Sequence, residues 1–276
     1  MKKMWLSAIG ILLCSLSALA AESSFERTLS VNGPPDLTIA TGSGEIRLTR
    51  GSDTQIRIVG HVHSSWGSSE DQVRAIVANP PIEQTGNIVR VGTQPMHLRN
   101  ISIDYDVQAP AGTHLDASTG SGNLHDEGVG RNSRLSTGSG DIRAKELQGS
   151  FTIHTGSGSI VASQLSAGDV RAQTGSGDID LQNIRGGLSA ESGSGRIRVT
   201  GTPAASWRLQ SGSGSIDATL SGSGFTLDAS TGSGTVQTDQ DITMQGSMNR
   251  HHVTGRVRGG GPLIHIQTGS GDIRIH

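Results

Sequence analysis

One cysteine, few aromatic side chains and almost no net charge leave this 276-residue chain without several of the usual means of holding a fold or choosing a partner. The single cysteine, Cys14, stands in an apolar N-terminal stretch. No disulfide can therefore staple the chain beyond that stretch, and thiol chemistry is excluded there. Aromatic residues make up 3% of the chain, too few for a row of stacking platforms of the kind sugar-binding surfaces use. A net charge of −2 gives no basic field for nucleic acid or anionic lipid. Beyond Leu19 no apolar run approaches the roughly 18 residues that a membrane-spanning helix needs.

The start of the chain carries an export signal. Lys2 and Lys3 precede an apolar run from Met4 to Leu19, and Ala18-Leu19-Ala20 fits the small-x-small pattern of signal-peptidase cleavage. The reading is a signal peptide over residues 1–20 and a mature chain from Ala21, placed in the periplasm, at the cell surface or outside the cell. Lipidation at Cys14 would want a small residue before it, and Leu13 is there instead.

Glycine is what the chain has in abundance, 40 residues. They fall in a repeat. The motif [ST]-G-S-G begins at Thr41, Thr119, Thr137, Thr155, Thr174, Ser192, Ser211, Thr231 and Thr268. From Thr119 to Thr231 the steps are 18, 18, 19, 18, 19 and 20 residues, and the last step, from 231 to 268, is 37, about two more. A period near 20 residues is the signature of a solenoid.

Aligned on the first Thr or Ser, the repeats show what each coil buries. Five residues on stands an aliphatic side chain in every copy: Ile46, Leu124, Ile142, Ile160, Ile179, Ile197, Ile216, Val236 and Ile273. Val257 joins this core ladder from a degenerate copy at Val253-Thr254-Gly255-Arg256-Val257-Arg258. Four and two residues before the motif lie two further apolar columns, exemplified by Phe151 and Ile153 or Trp207 and Leu209. Their parity is opposite to that of the ladder, so the chain must turn between them. The turn falls on the glycines: Gly42 and Gly44, Gly120 and Gly122, Gly138 and Gly140, Gly156 and Gly158, Gly175 and Gly177, Gly193 and Gly195, Gly212 and Gly214, Gly232 and Gly234, Gly269 and Gly271. They are expected to supply the positive φ of a sharp corner. A second corner falls near Leu147 to Gly149, Leu165 to Gly168 and Ile184 to Gly187.

The predicted fold is all-β, a parallel β-solenoid of coils of about 18–20 residues. Residues 119–276 form its regular part, and residues 21–118 a divergent, strand-rich half. One short helix is expected near residues 69–79, where Ser68-Ser69-Glu70-Asp71 resembles a capped first turn, Val73, Ile76 and Val77 keep helical spacing, and Pro80-Pro81 ends the pattern.

Chemistry finds little purchase in the repeat. Calcium-binding solenoids place an acid after the glycines, but here that position reads Glu45, Asn123, Asp141, Ser159, Asp178, Arg196, Ser215, Thr235 and Asp272, one of them cationic. No copy continues into a phosphate-binding G-K-[ST]. A polysaccharide-acting enzyme would need a local carboxylate cluster. The nearest is the outward column Asp180, Arg198, Asp217 with Asp178 over Arg196, whose alternating signs are also what a structural ladder requires. His61 with His63, and His251 with His252, lack the further ligands of a zinc site. The sequence therefore assigns no catalytic residue, metal ligand or cofactor.

The run NISIDYDVQAPAGTHLDASTGSGNLHDEGV, Asn100 to Val129, followed by TGSG-strand units, resembles the bacterial putative-adhesin domain family of unknown function. The resemblance runs from about Phe25 to the end. It implies an exported or envelope-associated β-solenoid without established catalytic residues, and no functional residue carries over. The leading reading is a non-enzymatic, glycine-rich interaction protein presenting a long polar surface to an envelope or extracellular protein or glycan. The alternatives are a polysaccharide-acting β-helix enzyme and an envelope-stress scaffold or sensor. The final strand, with Ile273 and Ile275 on its core face, is expected to close the stack. Its open edge would invite end-to-end self-association or cover from the helix near residue 73.

Overall fold

The computed structural model describes residues 23–64, 70–93, 100–222, 224–244 and 249–276. The leader with Cys14, Trp66 and the Ser68-Ser69 cap lie outside these residues. The fold is nearly all-β, a stack of parallel coils with one α-helix among the described residues.

Each coil has an approach strand before its Thr/Ser-Gly-Ser-Gly corner and a departure strand after it. Approach strands align in parallel from coil to coil, with Phe151 opposite Val170, Val170 opposite Leu188 and Leu188 opposite Trp207. Departure strands do the same, with Ile142 opposite Ile160, Ile160 opposite Ile179 and Ile179 opposite Ile197. The strands Ile142–Thr155, Ile179–Ser192 and Ile197–Ser211 run through the second corner and belong to both faces. Side chains alternate along each strand between a fully buried row and a solvated one, so the two faces share a single core. Nearly every core-ladder residue is buried; Val236 is half-buried.

The left-handed backbone is at the other corner. Gly128, Gly130, Gly149 and Gly186 have positive φ, as do Asn132, Glu146 and Asn183, whereas none of the eighteen motif glycines does. The expectation that the motif glycines supply positive φ is thus corrected. What demands glycine there is the stacking of one corner on the next: a Cβ on Gly175 would run into the carbonyl oxygen of Gly156, and one on Gly177 into that of Gly158. The same collision recurs at every motif glycine except Gly42, which has nothing within 4 Å.

The stacking order departs from the chain order at the C-terminal end. Leu263–Thr268 and Ile273–Ile275 do not terminate the stack. They lie between the coil of Trp207–Leu220 and the coil of Phe225–Thr238, with Ile273 opposite Ile216 on one side and Val236 on the other. The open C-terminal edge inferred from sequence is therefore absent, and with it the basis for end-to-end association through Ile273 and Ile275. Nor does Val257 belong to the parallel ladder. The strand His252–Val257 runs antiparallel to Phe225–Thr231, which puts Val257 beside Phe225 and Ile242. Antiparallel pairing ends the parallel stack here, because it changes the register that the next corner would need.

The opposite end is closed in the same manner. Asp36–Thr41 and Ile46–Arg50 stack on the coil of residues 114–127, and Ile88–Val91 with Ile101–Ala109 continues the stack outward. Antiparallel strands then finish it: Ile82–Thr85 on Ile88–Val91, Gln55–Ser64 on Ile101–Ala109, and Ser23–Ser30 on Gln55–Ser64. The helix Glu70–Ala78 buries Val73 and Ile76 and packs on the last two of these strands. It lies at the end away from Ile275.

Candidate functional site

The repeated corner is built from hydroxyls. In eight of the nine motif coils the first Thr or Ser turns inward and is buried, as Thr155 and Thr174 show, and Thr41 is half-buried. The Thr155 hydroxyl donates to the Gly140 carbonyl of the preceding coil at 2.9 Å and accepts the Gly158 N–H of its own at 3.1 Å. Thr174 bridges Gly158 and Gly177 likewise, and Ser192 bridges Gly177 and Gly195. The hydroxyls thus satisfy backbone groups that a turn would leave unpaired in a dry interior. The motif's middle serine, such as Ser157 or Ser194, is exposed.

The residue after the second glycine has a similar task. Asn123 Oδ1 accepts the Asp141 N–H, Asp141 Oδ1 the Ser159 N–H, and Asp178 Oδ1 the Arg196 N–H, each at 2.8–2.9 Å. Asp272 Oδ1 accepts the N–H and hydroxyl of Thr235. Those two bonds hold the Asp272 carboxyl below its ordinary range. The sequence signal for both roles was the restriction of one column to Thr and Ser and of another mostly to Asp, Asn and Ser. Weighing the second column only against calcium binding, and setting that aside, left unseen that its carboxylates hold the neighbouring coil's backbone.

On the departure face the candidate column Asp180, Arg198, Asp217 does come together. Arg198 lies 3.8 Å from Asp180 and Arg196 4.0 Å from Asp217, and the inserted coil adds Arg274, 3.5 Å from Asp217 and 3.6 Å from Asp272. Towards the other end Arg47 bridges Glu45 and Asp106, and Arg143 lies 3.2 Å from Asp141. The charges on this face are thus spent largely on one another.

The histidines are drawn to acids. His61 lies 3.3 Å from Asp106 and His63 2.9 Å from Asp104, across the antiparallel pair that closes the stack. At the far end His252 and His265 flank Asp228 at 3.1 and 3.0 Å. Burial raises the Asp228 pKa, but the hydrogen bonds from the two imidazoles outweigh it and leave the carboxyl below its ordinary range. His251 instead donates from Nδ1 to the Gly234 carbonyl. No grouping of three or more His, Cys, Asp or Glu suited to a metal ion occurs among the described residues.

One acid is out of place. Asp126 occupies an inward position between Leu48 and Ala144 and is 2% exposed. Its Oδ1 accepts the Val129 N–H at 3.1 Å, while its Oδ2 has no partner. Burial pushes its pKa well up, only partly countered by that one hydrogen bond.

The family described as Toastrack DUF4097 matches residues 35–276. Among solved structures, a putative adhesin from Bacteroides fragilis is 14% identical, over 92% of this chain and 97% of that one, with a TM-score of 0.48. A putative adhesin from Parabacteroides distasonis is 9% identical, over 93% and 98%, with a TM-score of 0.46. No curated relative matches the chain.

Proposed function

Since the chain belongs to the Toastrack DUF4097 family, whose match spans nearly all of the described stack, we propose that it is an exported, non-enzymatic interaction protein that presents a long polar face to a partner in the cell envelope or extracellular matrix. The observation that carries this reading is the regular outward surface of the stack. Residues at the same place in successive coils stand in register along a rigid parallel ladder, about 4.8 Å apart. Such a surface suits extended recognition of a long partner, because one contact repeats from coil to coil. The carboxylates that a hydrolase would use, Asp178, Asp180 and Asp217, are engaged with backbone N–H groups or arginines. Export rests on the leader over residues 1–20.

Immobilised protein should retain a specific component from solubilised envelope fractions, and incubation with polyuronates and glucans should release no new reducing ends. Release of reducing ends, lost on Asp180→Asn or Asp217→Asn substitution, would favour the enzymatic alternative.

A further inference from the structure

The two outward faces treat their arginines differently. On the departure face Arg47, Arg143, Arg198 and Arg274 all lie within 4.0 Å of a carboxylate. On the approach face one column reads Arg134, Thr152, Arg171, Ser189, Arg208 on successive coils. These three arginines are exposed, and among the described residues none has an ion pair or a side-chain hydrogen bond. Asp116 is Arg134's neighbour in register but lies outside ion-pair distance. Beyond Arg208 the next side chain, His265, is held by Asp228.

Two strand spacings separate one arginine from the next, about 10 Å. A hydroxyl stands between each pair. The column lines one open groove and runs beside another. One, of about 560 Å³, is lined by His154, Gln173, Glu191, Gln210 and Gln267 over a floor of motif glycines. The other, of about 620 Å³, lies towards the second corner and takes in Arg134, Thr152, Arg171 and Ser189 with Asn132 and Asp169. The two acids in the grooves are already engaged: Glu191 accepts from Gln173 and Ser189, and Asp169 from the Gly187 N–H.

We propose that the approach face binds an unbranched acidic polysaccharide, with Arg134, Arg171 and Arg208 meeting carboxylates at every second coil and the intervening hydroxyls and flanking carboxamides meeting sugar hydroxyls. The proposal rests on the reading of the chain as an interaction protein and gives it a ligand class. A guanidinium pairs with a carboxylate through two parallel hydrogen bonds. One such exposed contact is weak. Three at a fixed repeat act together, since the second and third form within an already bound chain. Evenly spaced single cations on a chain of net charge −2 do not make the broad basic field that nucleic acid requires. Neutral side chains able both to donate and to accept suit a hydroxyl-rich backbone better than an acidic polypeptide.

Calorimetry of the purified protein with polygalacturonate, dextran, polyglutamate and duplex DNA tests the assignment. Polygalacturonate should bind most tightly, and more weakly as salt rises. The triple variant Arg134→Gln, Arg171→Gln, Arg208→Gln should lose at least tenfold in affinity. The matched triple on the other face, Arg143→Gln, Arg198→Gln, Arg274→Gln, should change it less than twofold, with thermal melts showing that both variants fold. Equal losses in the two triples, a preference for any other polymer, or no binding to polygalacturonate would each overturn the proposal. An envelope component still captured by the protein in those cases would leave the interaction reading standing. Tight polygalacturonate binding with nothing retained from envelope fractions would separate the two in the other direction.

Discussion

A single methyl group separates the corner glycines from alanine, and at all of them but Gly42 the stack has no room for it. Gly177→Ala places a Cβ against the Gly158 carbonyl, so the two coils must part, at a cost of about 2 kcal/mol or more. Gly42→Ala meets nothing within 4 Å and should leave stability within about 0.5 kcal/mol of the parent. Urea denaturation of the two variants distinguishes stacking from turn conformation, since a requirement for positive φ would penalise both. The hydroxyl column gives a second test at this scale. Thr155→Val strands the Gly158 N–H and the Gly140 carbonyl in a buried corner and should cost roughly 2 kcal/mol, whereas Thr155→Ser, the residue already used at Ser192 and Ser211, should cost less than about 1 kcal/mol. Equal midpoints for Val and Ser would show the bridge to be dispensable. The restriction to Thr and Ser was plain in the sequence; its reason was not, because the partner carbonyl belongs to another coil.

Among the elements, the C-terminal strand shows where sequence order and spatial order part. A spacing of 37 residues told of two coils, and the columns told which side chains face in. They could not tell the order of stacking, because every Thr/Ser-Gly-Ser-Gly coil presents the same corner and the same core rows and so fits against any other. Ile275 lies fully buried with Ala218 on one side and Thr238 on the other. Ile275→Lys should therefore cost about 3 kcal/mol or more, through lost apolar burial and a charge without a partner. A strand at an open end could turn that lysine to water at little expense. A thermal melt separates the two, a large fall in midpoint marking the intercalated strand. The antiparallel strands at both ends were hidden from the repeat for the opposite reason: they lack its corner, and Val253 to Val257 kept just enough of the pattern to pass for another coil.

At the scale of the molecule, stability should depend on pH through Asp126. Its folded pKa lies above the unfolded value of about 3.9, so its favourable contribution is complete below that value and is lost as pH rises through the folded pKa. Asp126→Asn keeps an oxygen for the Val129 N–H and removes the titration. The variant and the parent should unfold at similar urea concentrations near pH 3.5, with the variant more stable at pH 7.5. A constant difference across that range would contradict the burial of an ionisable carboxyl. Nothing in the sequence marked Asp126, an acid in a row of aliphatic and small residues that runs from Val107 and Leu48 through Ala144 and Ala162. The regular part of the fold was legible because its period is short and its columns are strict. The unpaired arginines of the approach face were visible as residues, but their lack of partners emerges only once the two faces are laid out.

The interleaved C-terminal coil also sets an order of events for a chain that emerges from its N-terminus. From the coil of residues 114–127 to that of Ser211, each coil can settle upon the one before it as it appears. The coil of Thr231 cannot take its final neighbours then, because the place beside Ser211 belongs to residues 263–268, which arrive later. Residues 263–275 thus lock the far end only after the coil of Thr231 has been made, and without them the coils of Ser211 and Thr231 would lack the strands that join them.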